Sequence, residues 1–331
     1  MISLNLSPIF KTFLLTLISF LIAMSVTPLF TTFLFKFKLG KKIRISEYTP
    51  IFSNLHKSKE GTPTMGGLLI WIPTAIITFL FNLSRAQTWL PLFALVTIGI
   101  IGAIDDLLNI KGIGPIRGMR ARYKLLWQII VGIIGAYWFF YKLGFNSIHL
   151  PGIGDFFIGW FYIPLFILVI VSTSNAVNIT DGLDGLAGGI LASSFGAFTA
   201  IAYFKGYYGI AAFCGTILGA LLAFLWFNIY PARFFMGDTG SMALGATLGV
   251  IAMLTDSVVL LPIIGFVFVF ETLSVILQLF WKRFFGKKIF KSTPIHHHFE
   301  AIGWPETKVT MRFWVIGAVM AVIGLVIGLL G

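Results

Sequence analysis

Ten long apolar runs constrain the fold of this chain more than any other feature of its sequence. An α-helix needs about 20 mostly apolar residues to cross a bilayer. We place the runs at about residues 9–35, 65–83, 90–108, 123–143, 160–178, 183–204, 207–227, 238–255, 257–281 and 311–330. With 58% hydrophobic and 11% charged residues, a cytosolic enzyme, a secreted disulfide scaffold and a disordered chain are excluded. We predict an all-α, polytopic membrane protein that forms one domain over residues 1–331.

The distribution of charge predicts how the chain is oriented. The sequence contains 24 Lys and Arg against 12 Asp and Glu, and basic residues collect in cytoplasmic loops. If the N-terminus faces outward, 20 basic residues fall inside, and the outer side receives only Lys11, Arg85, Lys142 and Lys205. Both termini are then outside, with a small outer hairpin near residues 144–159. Nine acidic residues also fall on the inner face, which points to chemistry there.

The excess of base does not predict a nucleic-acid partner, because so apolar a chain offers little water-exposed surface to a duplex. Anionic lipid and phosphorylated ligands are the expected partners instead. The single cysteine, Cys214, cannot form an intrachain disulfide and leaves the redox compartment open.

The first inner motif, residues 61–67, follows Lys59 and leads into the second apolar run. Free N–H groups at a helix start favour phosphate, and Lys59 adds a positive charge. The same residues also suit an ordinary helix start, with Thr62 or Thr64 as the N-cap and glycines that allow close helix packing. The sequence leaves both interpretations open.

Asp105 and Asp106 lie side by side near the end of the third run. A carboxylate in a membrane-spanning helix is unfavourable, and two adjacent carboxylates repel each other. We therefore expect a compensating cation, which is either a metal ion or a basic residue of the next segment (Arg117, Arg120, Arg122 or Lys124). That basic segment is by itself typical of a lipid-headgroup contact.

The connection between the fifth and sixth runs carries acids and amides but no basic residue. It includes Asn175, Asn178, Asp181 and Asp184. Such a set is unfavourable near a membrane unless a cation or a hydrogen-bonding ligand lies there. Its spacing is not that of an EF-hand, and its glycines are also explained by helix packing.

Two further inner segments combine aromatic, acidic and imidazole side chains. Phe235 and Asp238, at the start of the eighth run, suit nucleobase stacking and cation binding, although Asp238 also suits an N-cap. The triplet His296 to His298 cannot bind one zinc ion from a regular helix, because residues i and i+4 share a face. Contact with a phosphate or proton transfer fits these imidazoles better.

Taken in order, these motifs resemble those of the phospho-N-acetylmuramoyl-pentapeptide transferase family. They are Gly-Thr-Pro-Thr-Met-Gly-Gly (61–67), Asp-Asp (105–106), Asn-Ala-Val-Asn-Ile-Thr-Asp-Gly-Leu-Asp-Gly-Leu-Ala (175–187), Phe-Met-Gly-Asp-Thr-Gly-Ser (235–241) and Pro-Ile-His-His-His-Phe-Glu (294–300). Single motifs are shared with the wider polyprenyl-phosphate sugar-1-phosphate transferases. The triple histidine followed by Gly-Trp-Pro-Glu (303–306) narrows the resemblance to the peptidoglycan branch.

The resemblance implies a ten-helix enzyme of the bacterial cytoplasmic membrane, commonly a homodimer, with its active site on the cytoplasmic face. It implies Mg²⁺ as the cofactor. The implied reaction transfers phospho-MurNAc-pentapeptide from UDP-MurNAc-pentapeptide to undecaprenyl phosphate and yields lipid I and UMP, the first membrane step of peptidoglycan synthesis. The implied partners are these two substrates and membrane lipid.

The same resemblance gives the expected site residues. Asp105, Asp106 and Asp238 are expected to be catalytic and to bind the metal, and His296 to be catalytic. The residues expected to bind substrate are Lys59, Thr64, Lys124, Asn175, Asn178, Asp181, Gly182, Asp184, Asn228, Phe235, Gln278, His297 and His298. Whether an acid of the Asp105–Asp106 pair acts as a base or as a nucleophile stays open.

Three positions depart from the family's pattern. Asn109 stands where the family usually has Lys, and Lys111 is a possible substitute. Ser292 replaces the usual Met, and residues 41–58 lack a usual Gly-Pro. Two alternatives remain: a transferase that uses a UDP-N-acetylhexosamine without the peptide, and a secondary transporter. Against a transporter, the acids cluster on one face and only Glu271 lies near the middle of a span.

Overall fold

The computed structural model describes residues 6–37, 39–40, 59–114 and 118–330. The predictions that concern residues 41–58 and Arg117 lie outside this range. The described helices are α1 Pro8–Lys36, α2 Leu68–Phe81, α3 Trp89–Lys111, α4 Ala121–Tyr137, α5 Tyr162–Thr180, α6 Leu186–Phe204, α7 Tyr208–Asn228, α8 Asp238–Leu254, α9 Leu261–Ile264, α10 Phe266–Phe285, α11 Ile295–Ala301 and α12 Glu306–Gly328.

Seven segments in the described ranges are long and apolar enough to cross a membrane. They are α1, α3, α4 with its π-helical extension to Lys142, α5 with the turn before it, α6, α7 and α12. The apolar helices α2 and α8 are shorter, with 14 and 17 residues. Each predicted run therefore corresponds to an apolar helical segment, and the all-α, multi-pass membrane fold is confirmed.

The ninth predicted run is not a straight span. Its two helices, α9 and α10, meet at Gly265 and are bent by 79°. Pro262 lies in the first turn of α9, which ends after only four residues. The bend leaves an apolar groove of about 380 Å³ beside α5, lined by residues from Leu165 to Val177 of α5 and by parts of α8, α9 and α10.

The predicted hairpin is present. Strands β1 Ser147–Leu150 and β2 Gly154–Phe157 pair antiparallel, with His149 opposite Asp155. The hairpin contacts the segment that follows α8, since the backbone N–H of His149 donates to Asp256 Oδ1 at 3.2 Å.

Helix α8 lies at the centre of the core, and every residue from Thr239 to Leu254 is buried. Small residues allow its neighbours to approach closely. A Cβ added to Gly102 of α3 would lie 2.3 Å from the carbonyl oxygen of Asp238, and one on Gly245 of α8 would lie 2.5 Å from that of Thr173 in α5. This packing brings the C-terminal ends of α3 and α5 to the N-terminus of α8, while α1 and α12 remain mostly exposed at the periphery.

Candidate active site

The N-terminus of α8 is held by an aspartate of another helix. Asp106 accepts hydrogen bonds from the backbone N–H groups of Asp238 (3.3 Å) and Thr239 (3.1 Å), and from the Thr239 hydroxyl (2.7 Å). A carboxylate is favourable there because unpaired N–H groups and the helix dipole make this end positive. Gly237, rather than Asp238, is the N-cap. It has a φ of 75°, and a Cβ there would lie 2.4 Å from Asp106 Oδ2.

Lys124 joins two of the predicted catalytic carboxylates. Its ammonium lies 2.6 Å from Asp105 Oδ2 and also bonds Asp238 Oδ2. The Asn178 amide donates to Asp238 Oδ1 and to the Ser241 hydroxyl, both at 2.9 Å. Side chains of α3, α4, α5 and α8 therefore meet at one point. The expected cation beside the Asp105–Asp106 pair is present as Lys124.

The motif at residues 61–67 is paired with the segment before α8. Phe235 N–H donates to the Pro63 carbonyl at 2.8 Å, and the N–H groups of Gly66 and Gly67 donate to the carbonyls of Phe235 (2.8 Å) and Met236 (2.9 Å). These two N–H groups are therefore not available to a phosphate. The prediction of a Thr62 or Thr64 N-cap is wrong, because α2 begins at Leu68 with Gly67 as its N-cap.

The packing interpretation of these glycines is confirmed. A Cβ on Gly67 would lie 2.3 Å from the backbone of Gly240. Thr64 lies at the same junction and is 1% exposed, and none of the described residues forms a hydrogen bond with its hydroxyl. A Cβ on Gly237 would lie 2.6 Å from this hydroxyl, so Thr64 borders the start of α8.

A second ionic group forms around Lys59. Its ammonium lies 2.6 Å from Asp184 Oδ1 and 2.5 Å from Glu306 Oε1, and 5.9 Å from the centre of the half-buried Phe235 ring. Glu306 Oε1 also accepts from the backbone N–H of Asp184 at 2.7 Å. Lys59, Asp184 and Phe235 were predicted as site residues. Glu306 was not predicted to be a site residue, although it belongs to the Gly-Trp-Pro-Glu motif (303–306) that supported the family resemblance.

The histidine segment lies against the loop between α5 and α6. His296 and Glu271 are both fully buried, with His296 Nδ1 2.9 Å from Glu271 Oε2. A Cβ on Gly182 would lie 2.3 Å from His296 Nε2 and 3.3 Å from His297 Nε2. His297 pairs with Glu300 at 2.7 Å. Asp181 and Gly182 are therefore neighbours of the histidines, as the convergence of inner loops predicted.

His298 lies on the far side of the same short helix. Its Nδ1 accepts from the backbone N–H of Lys291 at 3.2 Å, and its ring packs against Phe290. The structure therefore does not bring His298 together with the other two histidines at Gly182.

Three predicted substrate ligands make protein contacts in the structure. Asn228 accepts from the Gly185 N–H (3.0 Å) and donates to the Phe234 carbonyl (2.9 Å). Gln278 bonds the backbone of residues 289–290 with both ends of its amide. Asn175 donates to Gln128 Oε1 at 2.8 Å. Sequence reasoning missed Gln128 and Ser241, because nothing in their local sequence indicates their partners.

The sequence also resembles those of known proteins over most of its length. Residues 88–256 match the family model described as Glycosyl transferase family 4, and residues 59–70 match the one described as Phospho-N-acetylmuramoyl-pentapeptide-transferase signature 1. The chain is 42% identical over 317 residues to a phospho-N-acetylmuramoyl-pentapeptide-transferase of Geobacillus thermodenitrificans, covering 94% of this chain and 95% of the relative.

Two further relatives carry the same name. The Oceanobacillus iheyensis protein is 44% identical over 323 residues, with 94% of this chain and 95% of the relative covered. The Bacillus mycoides protein is 41% identical over 321 residues, with 94% and 96% covered. Because this likeness extends over nearly the whole of both proteins and a family signature matches residues 59–70, the chain is a multi-pass membrane transferase that belongs to the phospho-N-acetylmuramoyl-pentapeptide transferase family.

Proposed function

We propose that this enzyme transfers phospho-MurNAc-pentapeptide from UDP-MurNAc-pentapeptide to undecaprenyl phosphate. An oxygen of the lipid phosphate forms a bond to the sugar-linked phosphorus, and the bond from that phosphorus to the bridging oxygen of UMP breaks. The products are lipid I and UMP. The observation that carries the proposal is the group of Asp105, Lys124, Asn178 and Asp238, formed at the membrane-helix ends by four separate helices.

The donor set at this group fits Mg²⁺. Asp105, Asp106, Asp238 and Lys124 together carry a formal net charge of −2, and carboxylate oxygens are the hard ligands that Mg²⁺ prefers. We propose that Asp105 and Asp238 hold the ion. Asp106 instead positions the start of α8, because its hydrogen bonds are to the backbone of Asp238 and Thr239 and to the Thr239 hydroxyl at that helix end. When bound, Mg²⁺ neutralises phosphate charge in the transition state.

The protein's own side chains supply the rest of the electrostatics. Phosphoryl transfer between two anions depends mainly on positioning and charge neutralisation. Lys124 places a positive charge between the two carboxylates. Lys59 places another beside Phe235, whose half-buried ring offers a stacking surface for the uracil base. We assign the nucleotide to the Lys59 and Phe235 side of the site.

The apolar groove supplies a path for the lipid acceptor. It follows α5 from Leu165 to Val177, which is about 18 Å along the helix axis. Val177 directly precedes Asn178, which bonds Asp238. A polyprenyl chain in this groove would place its phosphate beside the carboxylates without leaving the bilayer.

The membrane face of the site and the contacts of the peripheral helices are inferred from charge and exposure. The excess of basic residues in the inner loops supports a site on the cytoplasmic face of the bacterial cytoplasmic membrane. The exposed faces of α1 and α12 are available to membrane lipid and to a second copy of the chain, in agreement with the homodimer that the family resemblance implies.

The test is release of UMP by purified protein given UDP-MurNAc-pentapeptide, undecaprenyl phosphate and Mg²⁺. We expect turnover in the wild type and a loss of at least about 100-fold in Asp238→Ala. Asp155→Asn, at the opposite end of the molecule, is the matched control and should keep full activity. Absence of UMP release, or full activity in Asp238→Ala, would contradict the proposal.

Two further measurements separate the alternatives. Faster turnover of a UDP-N-acetylhexosamine than of UDP-MurNAc-pentapeptide would favour the transferase that does not use the peptide. Substrate flux into proteoliposomes without chemical turnover would favour a transporter.

A further inference from the structure

Glu271 is a fully buried acid that the mechanism above does not use. It lies in the second turn of α10 and is 0% exposed. A buried carboxylate is unfavourable by several kcal/mol unless it is paired. Its side-chain contact is with His296 Nδ1, at 2.9 Å, and its other oxygen, Oε1, has no hydrogen-bond partner in the described part of the chain.

The His296 ring is equally buried, and its two nitrogens face different surroundings. Nδ1 faces Glu271 in α10. Nε2 faces the loop between α5 and α6, where a Cβ on Gly182 would lie 2.3 Å away. Among the described residues no group hydrogen-bonds Nε2, although it is shielded from solvent. An unpartnered nitrogen therefore points directly at the Asp181–Gly182 segment.

The loop that this nitrogen faces connects both parts of the site. At its start, Asn178 bonds Asp238. At its end, Asp184 bonds Lys59 and accepts from the Ala232 N–H at 2.9 Å. The His296 ring fills the space between these two anchors, where only a glycine fits. A shift of this ring toward Gly182 would displace the loop.

We propose that Glu271 is a positioning residue for the transfer reaction, which holds His296 with Nδ1 protonated and Nε2 directed at the Asp181–Gly182 segment. An ionised carboxylate only accepts hydrogen bonds, so it selects the Nδ1–H form of the ring. Glu271 acts through His296 and the loop and does not touch substrate. This role rests on the proposed function, but the tautomer that it requires does not.

The first experiment measures the tautomer in the intact membrane-embedded protein. ¹⁵N chemical shifts of His296, assigned by comparison with His296→Gln, are expected to show a protonated Nδ1 in the wild type. Glu271→Gln is expected to allow the Nε2–H form, because a carboxamide both donates and accepts. A wild-type ring with a bare Nδ1, or unchanged shifts in Glu271→Gln, would overturn the proposal. This result is independent of any activity.

The second experiment measures steady-state UMP release. Glu271→Gln is expected to raise the KM for UDP-MurNAc-pentapeptide by about tenfold, by analogy with the loss of a partner that orients a metal ligand, because the loop ends at Asp184, which bonds Lys59 on the nucleotide side. The KM for undecaprenyl phosphate should stay unchanged. Ser274→Ala is the matched control. Ser274 is buried on the same face of α10, and its hydroxyl donates to the Glu271 carbonyl at 2.6 Å.

If Glu271 only stabilised the fold, the KM values and the melting temperature of Glu271→Gln would change differently. Equal losses for both substrates together with a lower melting temperature, or no change in either KM, would overturn the proposal. If the wild type itself releases no UMP while the tautomer is as expected, the proposed function fails and the positioning of His296 by Glu271 stands.

Discussion

Two polar clusters lie at opposite ends of α8, whose 17 residues span about 25 Å. The site cluster consists of Asp105, Asp106, Lys124, Asn178 and Asp238. The hairpin cluster consists of His149, Asp155, Lys205 and Asp256. Both contain carboxylates and a lysine, yet they are built differently.

The site cluster is held mainly by bonds between side chains of separate helices, with Asp105 and Asp106 each 5% exposed. The hairpin cluster is held largely by backbone. Lys205 donates to the carbonyls of Thr255 (3.0 Å) and Asp256 (3.3 Å), and the Asp155 side chain is 66% exposed. The bonds of the site cluster fix the ends of four helices relative to one another, whereas those of the hairpin cluster join the ends of α6 and α8 and the hairpin.

Proximity of metal-binding atoms alone would favour the hairpin cluster. Within the described residues, His149, Asp155 and Asp256 form the one trio of His, Cys, Asp or Glu with ligand atoms all within 4.8 Å. At the site cluster, Lys124 lies between two carboxylates and keeps them apart. The site is distinguished better by its excess negative charge, its burial and the adjoining apolar groove than by short distances between possible metal-binding atoms.

The largest expected effect comes from removing the bridging lysine. Lys124→Met leaves Asp105 and Asp238 without their shared cation, and we expect kcat to fall about 100-fold or more, comparable to the loss of one electrostatic donor in other active sites. Lys205→Met is the matched change in the hairpin cluster, and its UMP release should stay within about twofold of wild type. Similar losses in both variants would remove the distinction between the clusters.

The second effect concerns Asp106, to which we assign a role at the start of α8. Asp106→Asn keeps the shape but weakens acceptance from two backbone N–H groups. Loss of an N-cap interaction costs about 0.5–2 kcal/mol, so the melting temperature should fall together with an approximately tenfold loss of activity. A variant with unchanged melting temperature and no activity would instead give Asp106 a direct chemical role.

The third effect is the response of thermal stability to Mg²⁺. The ion should raise the melting temperature of the wild type and of Asp155→Asn, because a ligand bound only to the folded state stabilises it. Asp238→Asn should show little response. Loss of the response in Asp155→Asn and its retention in Asp238→Asn would move the metal to the hairpin end.

The smallest effect is expected at Asp256, which lies outside the membrane-spanning helices. Burial raises the pKa of its carboxyl above the ordinary value near 4. The folded state then binds the proton more tightly, so stability is highest below about pH 4 and falls as the pH rises through the folded pKa. Asp256→Asn should flatten this decline and change the melting temperature at pH 7 by less than about 2 °C. Melting curves between pH 4 and 7 test it, and a steeper decline in the variant would contradict it.

The sequence predicted the helical runs, the hairpin and the convergence of several motifs, because hydropathy and turn residues are local properties. It marked Glu271 as an unusual acid within a span, yet not its partner His296, 25 positions away. The link from Lys59 to Glu306 crosses 247 positions. Contacts of this kind depend on how the helices pack, which no single motif encodes.

The local sequence also predicted the wrong structure at two places. Gly66 and Gly67 look like a phosphate-binding turn, but their N–H groups pair with the backbone of residues 235–236. The break at Gly265 was missed because the apolar pattern continues through it. In both cases tertiary packing decided between conformations that the local sequence allows.

Locating a bound divalent ion tests the central claim most directly. Mn²⁺ can replace Mg²⁺ at oxygen-rich sites and gives an anomalous X-ray signal in crystals of the protein. We expect a peak within bonding distance of the Asp105 and Asp238 carboxylates, at the start of α8. A peak between His149, Asp155 and Asp256, with none at the start of α8, would contradict it.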